Sequence, residues 1–572
     1  MHFLVTTGKV SGDIESSNVL LAGDWCGDPE AKFAEHVSVE TLEYPIDHAD
    51  AVKIKCEIDT VFEELLPKIA LAYNDVLGLQ KDEKFYKIIL GRCIFHFIHN
   101  IYEKITLLDS ALEKHSEITI ESCGKSYAFS TDSVDYCMES YSSDEFNFKM
   151  YSGVAEYFSG IQKRDVPDLP PRVKADGPKL GIKAVIKSRF WILLCWLNSL
   201  FCKRMTLVVS PCYPKTAYFN AVWFFLKSKG QIVHYQFSPL QSSGDMMNTD
   251  LRSRLSKKIV SDSENRLLTI ASELLFYFMP TSLVEGFDAH QQESKSWLNK
   301  HPNLQRIFTA NAIHTDDVFK HIVAEADLKD CWIAQHGSGY GFSEVQSSEE
   351  YERMLSTRYF TWGWGERVLP SPKLYLGSCV NYESNKALIL TVPTVTRYAG
   401  LLESYFISSD YKNTINLTDT FLKALPLDAL ENILLRQRRM EVLRIYEPEM
   451  KLQSDDVDQF HDSLKRAKLH LSNHMGTPVL ESLAMNVPTL VVYDEDVHRI
   501  RDSAKPYFMM LKDVGILFND AEKAARHLAV VNEDIAKWWR DEKTQEAVNT
   551  FCNRFARSDP DWRHAWLKVF CE

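Results

Sequence analysis

The sequence predicts an α/β protein of two doubly wound domains that face one cleft, followed by helices. Short apolar strands alternate with helices from about residue 205 to 335, and a second alternation runs from 386 to 494. Alternation of this kind builds parallel sheets. The length of 572 residues also exceeds what one hydrophobic core serves. The expected division is 1–375, an N-terminal domain with helical insertions; 376–530, a C-terminal domain; and 531–572, a helical tail.

The elements follow in order. "FLVTT" (3–7) and "NVLLAG" (18–23) read as buried strands, short, apolar and closed by Gly or polar residues. Residues 85–112 are apolar on most faces and read as a largely buried helix. Residues 164–179 are rich in Pro and charge and read as a loop. "TLVVS" (206–210), "IVHYQF" (232–237), "RIFTAN" (306–311) and "CWIAQHG" (331–337) are the strands of the first alternation, and Asp316 is placed to cap a helix. "RYFTWGWGE" (358–366) is an aromatic strand that ends in glycines. The second alternation has strands at 386–394, 431–438, 467–473 and 487–494, with a helix from Pro478. The tail, "IAKWWRDEKTQEAVNTFCNRFAR" and "WRHAWLKVF", is helical and aromatic. Its helices either cross back to brace the first domain or form a dimer contact; both stay open, and so does the oligomeric state.

A net charge of −13 argues against a general nucleic-acid binder, which needs a basic face. It leaves room for an anionic ligand in a local site. Twelve cysteines are scattered with no Cys-x-x-Cys pair, so zinc ribbons and thioredoxin-like chemistry have no support. Free thiols in a reducing compartment are expected. The start "MHFLVTTGKVSGD" lacks the parts of a signal peptide, and a cytoplasmic protein is expected. "RFWILLCWLNSLFCK" (189–203) is shorter than the roughly 20 apolar residues of a spanning helix and reads as a buried helix. Lys174, Lys179, Lys183, Lys187 and Arg189, against Asp176 alone, would suit peripheral contact with an anionic membrane face.

Ligands of doubly wound sheets bind outside the carboxyl ends of the strands, so residues that follow strands are the candidates. After 467–473 come His474, Gly476 and Thr477, a turn, then Pro478 at a helix start. Free N–H groups and the positive dipole end make such a turn an anion site. Glu481 lies one turn into the helix, in reach of the turn or of a sugar hydroxyl. After 331–335 comes "AQHGSGYG" (334–341). His336 is a candidate general base for an acceptor hydroxyl. Gly337, Gly339 and Gly341 let a ligand or the opposite domain approach the backbone. Glu344 is near enough in sequence to orient His336 or to be the base itself. Weaker candidates are Asp24 and Trp25 of "LAGDWC", Trp364 and Glu366 of "TWGWGE", and two arginines after strands, Arg397 and Arg436, either of which can pair a phosphate or carboxylate bidentately. There is no Gly-x-Gly-x-x-Gly fingerprint and no Walker sequence. "DED" (494–496) reads as a surface loop, and no metal site or resident cofactor is expected.

The turn with "ESLAMNVP" and the strand after it resembles the donor-binding segment of GT-B glycosyltransferases. There such a turn holds a nucleotide phosphate and the Glu contacts a ribose or sugar hydroxyl, which implies those roles for Gly476, Thr477 and Glu481. The "His-Gly" after a strand is similar to one at the interdomain cleft of glycosyl- and glycerophosphotransferases. Over almost its full length the chain resembles a family of transferases found with surface-carbohydrate and nonulosonic-acid genes. The landmarks are "LLAGDWC", "YKIILGRCIFHFIHNIYEK", "FTANAIHTDD", "AQHGSGYG", "YFTWGWGE" and "NHMGTPVLESLAMNVPTL". Ser338, where glycine is common, and residues 436–449 depart from the pattern, and the latter puts Arg436 in doubt.

The resemblance implies a metal-independent GT-B glycosyltransferase. The C-terminal domain would hold a nucleotide sugar, with a CMP-linked nonulosonic or ulosonic acid expected. The N-terminal domain would hold a glycan or lipid-linked acceptor. Two other classes stay open: an epimerase or hydrolase of nucleotide sugars with the same fold, and a non-catalytic component of a glycan assembly complex.

Overall fold

The computed structural model describes residues 2–8, 18–27, 37–168, 182–213, 217–237, 247–326, 330–375, 382–393, 397–398, 410–437 and 450–572. Lys174, Lys179, most of the 164–179 loop, the boundary at 376 and residues 438–449 lie outside them.

The expected doubly wound α/β class is observed, in three parallel sheets. The first joins β1 (His2–Val5), β2 (Asn18–Leu21), β3 (Ser38–Thr41), β4 (Ile118–Ser122) and β5 (Ile161–Asp165) in the order β3-β2-β1-β4-β5. The second joins β6 (Met205–Val209), β7 (Ile232–Tyr235), β8 (Leu304–Thr309), β9 (Cys331–Ala334) and β10 (Arg358–Phe360) in the order β10-β9-β8-β6-β7. The third joins β11 (Ala387–Thr391), β12 (Ile433–Arg436), β13 (Gln453–Ser454), β14 (Ala467–Ser472), β15 (Thr489–Val492) and β16 (Leu517–Phe518) in the order β13-β12-β11-β14-β15-β16.

Residues 1–375 thus carry two sheets where the sequence reading drew one domain. The helix Glu83–Lys114 is buried along most of its 32 residues, as its apolar pattern predicts. It is the spine of the first unit. Helices Thr249–Ile259 and Arg266–Phe278, between β7 and β8, pack into that same core through Leu255, Leu274 and Phe278. The chain therefore leaves the second sheet, braces the first and returns.

The tail crosses back. Helix Glu542–Phe555 seats Phe551 and Phe555 against Phe508 of the third unit, and Phe555 also meets Phe342. Helix Trp562–Cys571 packs Trp566 and Phe570 on Phe308 of β8. The Trp566 indole donates to Pro370 O at 2.8 Å. Large rings at helical spacing act here as a clamp between the second and third units. Among the described residues no helix is long and apolar enough to cross a membrane.

Candidate functional site

β9 is fully buried and delivers its last residues to the carboxyl edge of the second sheet. There Gln335 ties the loop together. Its Oε1 accepts from Trp362 N at 3.1 Å and from Trp364 Nε1 at 2.8 Å, and its Nε2 donates to Gly337 O at 2.9 Å. His336 follows, 26% exposed.

The carboxylate beside His336 is Glu352, on helix Ser347–Leu355. It is fully buried, and four donors surround it. Oε1 accepts from His314 Nε2 at 2.7 Å, Tyr340 OH at 2.8 Å and His336 Nδ1 at 3.1 Å; Oε2 accepts from Tyr359 OH at 2.9 Å. Burial alone would raise this carboxyl, but the hydrogen bonds and charge of His314 and His336 hold it down to about 2. Burial pushes His314 down to about 4, so it donates as a neutral ring. Tyr340 OH, 3.1 Å from His336 Nδ1, spends its proton on Glu352 and offers Nδ1 a lone pair. The network therefore assigns the His336 proton to Nδ1 and leaves Nε2 with a lone pair. That is the arrangement of a carboxylate-oriented general base.

The same three side chains offer two imidazole nitrogens and a carboxylate oxygen within 4.8 Å of one another. That donor set suits zinc or iron(II). Here Glu352 Oε1 is taken by three hydrogen bonds.

Across the cleft, the local strand order of the third sheet reverses between β11 and β14, the point at which doubly wound sheets bind ligands. Thr391 at the end of β11 bonds Ser472 at the end of β14, Oγ to Oγ at 3.1 Å. The turn 473–476 follows. His474 is buried, held between Ser472 and Asn473, and burial pushes it down to about 4. A neutral ring there shapes the turn and brings no positive charge. It folds over Gly476, whose Cβ would stand 2.4 Å from Nε2. Helix Thr477–Ala484 starts with no side-chain cap; Pro478 brings no N–H and the Val479 N–H donates to Gly476 O at 3.0 Å, which leaves the Thr477 N–H and the helix dipole for an anion. Glu481 is buried, with His461 Nε2 at 3.3 Å and Lys373 Nζ at 3.6 Å.

The two halves meet at these loops. Ser338 N–H donates to Thr477 Oγ1 at 3.2 Å, so Ser338, a departure from the expected glycine, lies directly against the turn. Gly337 faces the same oxygen at 3.8 Å from an added Cβ. Beside this joint is a strap. Arg501 forks onto Glu349 at 3.0 Å and 3.0 Å, Arg501 N–H donates to Phe342 O at 2.8 Å, and Ser343 pairs antiparallel with Ile500.

Glu344 is part of that strap. Its Oε2 accepts from Arg499 Nε at 2.7 Å and its N–H donates to Arg499 O. The residue that orients His336 is Glu352, and Glu344 serves the interface. Gly339 and Gly341 take left-handed φ of 90° and 78°. An added Cβ at Gly341 would lie 2.4 Å from the Trp364 ring. Trp364 is thus packed against the loop backbone.

The arginines lie elsewhere. Arg436 spends its guanidinium inside its own unit, on Asp455 and Ser463 at 3.1 Å and Val457 O at 2.6 Å. Arg397 pairs with Asp144 at 3.4 Å and its N–H donates to Tyr141 O, which ties the loop after β11 to the first unit. Asp24 is exposed after β2, and Trp25 is buried with its indole on Thr6 O. The structure brings together His336, Gly337, Gly476, Thr477 and Glu481. It adds Glu352, His314, Lys373 and His461, which sequence reasoning missed.

The chain belongs to the LIC12162 family of transferases, whose model matches residues 2–570. Among curated proteins none matches. Three solved structures are similar in part. The glycosyltransferase SnogD from Streptomyces nogalater is 14% identical, covering 64% of this chain and 100% of its own, with a TM-score of 0.30. A glycosyltransferase from Rickettsia africae ESF-5 is 12% identical over 64% and 98%, TM-score 0.30. The wall teichoic acid polymerase TagF is 10% identical over 68% and 99%, TM-score 0.29.

Proposed function

We propose that the protein is a glycosyltransferase of GT-B organisation that moves a sugar from a nucleotide donor to a glycan or lipid-linked acceptor. The observation that carries this reading is the joint between Ser338 and Thr477, which sets a carboxylate-oriented imidazole beside an uncapped helix start at a strand-order switch point. In this reading the 474–477 turn holds the donor phosphate through backbone N–H groups, preorganised for the charge that builds on the leaving nucleotide. Lys373, beside Glu481, supplies the positive charge expected of Arg397 or Arg436. His336 Nε2 takes the proton of the acceptor hydroxyl as the new glycosidic bond forms. Glu352 steadies the imidazolium. The donor proposed is a CMP-linked nonulosonic or ulosonic acid, on the strength of the sequence landmarks, and the acceptor a cell-surface glycan.

The test is a thermal-shift panel of CMP, CDP, UMP, UDP, GDP and dTDP. A ligand at a hundred times its Kd adds about 2.7 kcal/mol to the native state. Stabilisation by CMP that is lost in Glu481→Ala supports the reading and the donor class. Stabilisation by another nucleotide keeps the reaction and replaces the donor. Stabilisation by none overturns the reading. Donor turnover without any acceptor would instead identify a hydrolase or epimerase.

A further inference from the structure

Helix Ile182–Phe201 and helix Ala217–Lys227 flank β7, the edge strand of the second sheet. They touch through the stacked rings of Trp191 and Tyr218, centroids 5.2 Å apart, and just beyond their ends Cys202 Sγ donates to Lys229 O. Each helix buries one apolar stripe, Trp191, Leu194 and Cys195 on one and Ala221 and Phe224 on the other. The opposite stripes are apolar as well. Leu193, Trp196 and Phe201 are exposed by 49%, 55% and 78%, and Phe219, Val222 and Leu226 by 61%, 37% and 67%. The sequence reading of a buried helix at 189–203 therefore holds for one face only. Of the seventeen large apolar side chains exposed among the described residues, nine fall between 192 and 226. They fall on two helices that touch, rather than scattering over the chain.

Charge sets this patch apart. Residues 177–244 contain no Asp or Glu and nine Lys or Arg, in a chain with 78 acids and a net charge of −13. Arg189, Lys203, Arg204, Lys227 and Lys229 are exposed at the ends of the two helices. Among the described residues no carboxylate pairs with them. An apolar strip bounded by basic side chains, with acids excluded from the whole stretch, matches a surface of anionic headgroups over acyl chains. A protein partner would not require that acids be absent from so long a run.

We propose that this face docks the protein on an anionic lipid surface, with Trp196, Phe201, Phe219 and Leu226 entering the interface and the basic side chains reaching headgroups. The helices lie along the surface and do not span it. The helix 217–227 begins at the carboxyl edge of the second sheet and ends at the amino edge, where Lys203, Arg204, Lys227 and Lys229 lie, so the docked face runs along the side of that sheet.

The test is sedimentation of the full chain with vesicles of phosphatidylcholine alone and of phosphatidylcholine mixed with phosphatidylglycerol. The protein is expected to pellet with the mixed vesicles, less so as salt is raised, and to stay in solution with phosphatidylcholine alone. Trp196→Glu combined with Phe219→Glu should abolish pelleting at an unchanged Tm, since both side chains are more than half exposed. Lys203→Ala and Arg204→Ala should each weaken partitioning about fivefold. Wild-type protein that stays in solution overturns the proposal. So does pelleting that the double Glu variant retains, or a dimer that this variant dissociates while vesicles bind neither form. No donor or acceptor enters the measurement, so its outcome is separate from that of the nucleotide panel.

Discussion

The His336 imidazole has its work set by one carboxylate. Glu352 holds the proton on Nδ1 and faces four donors with no water-exposed surface of its own. His336→Asn keeps a polar side chain and removes the base. We expect kcat to fall by about 10²–10⁴ with KM little changed. Glu352→Gln puts an amide among donors and lets Nδ1 lose its fixed proton, so a fall of similar size is expected, on the scale of other oriented imidazoles. If Glu352 were merely structural, Tm would drop while kcat of the folded fraction stayed at the wild-type value. Two of the three contacts on Glu352 Oε1 come from the imidazole nitrogens that would share a metal with it, so a chelator decides the cluster's role: unchanged activity makes it a hydrogen-bond network, and inactivation reversed by zinc makes it a metal site. His336 was legible in the sequence because a histidine and three glycines after an apolar run have few bland uses. Glu352 was not. It is one of three acids on "SSEEYERML", where charge reads as a solvated face, and only the fold turns it inward.

At the scale of elements, the proposed donor site rests on one turn. Gly476→Ala would drive a methyl to 2.4 Å from His474 Nε2 and turn the ring out of its place. We expect nucleotide stabilisation in the thermal-shift panel to vanish while Tm in the absence of ligand falls by only a few degrees. Glu349 is 3% exposed and holds both Arg501 and Gly341 N–H. Glu349→Ala strands a partly buried guanidinium, and about 3–5 kcal/mol of stability should be lost, read by urea denaturation. The strands were legible because parallel strands buried on both faces read as unbroken apolar runs. The number of sheets was not, because helices 249–259 and 266–278 sit in sequence beside the second sheet but pack on the first. Sequence adjacency carries no record of that return.

The whole molecule rests on three sheets joined by their loops and clamped by the tail. Trp566→Ala removes a buried ring from the clamp, and the expected cost is about 3–5 kcal/mol, seen as a lower Tm by calorimetry. Acid will undo the molecule early. Burial pushes His234, His321, His470 and His498 down to about 3 and His314 and His474 to about 4, from an ordinary 6.5. A group whose folded pKa is depressed stabilises above its unfolded pKa and loses that stability as pH falls toward the folded one. The unfolded chain takes up these protons below about pH 6.5, so stability should drop between pH 6.5 and 4, each histidine contributing on the order of 1 kcal/mol per pH unit. A Tm flat from pH 7 to 5 would contradict this. The strap from Arg501 to Glu349 adds a mechanical consequence. In a hinged tool the rivet usually lies far from the jaws, so a small rotation opens a wide gap. Here the rivet is beside the jaws. Rocking of the second unit against the third would move the loops beside the strap, Ser338 and Thr477 among them, least of all.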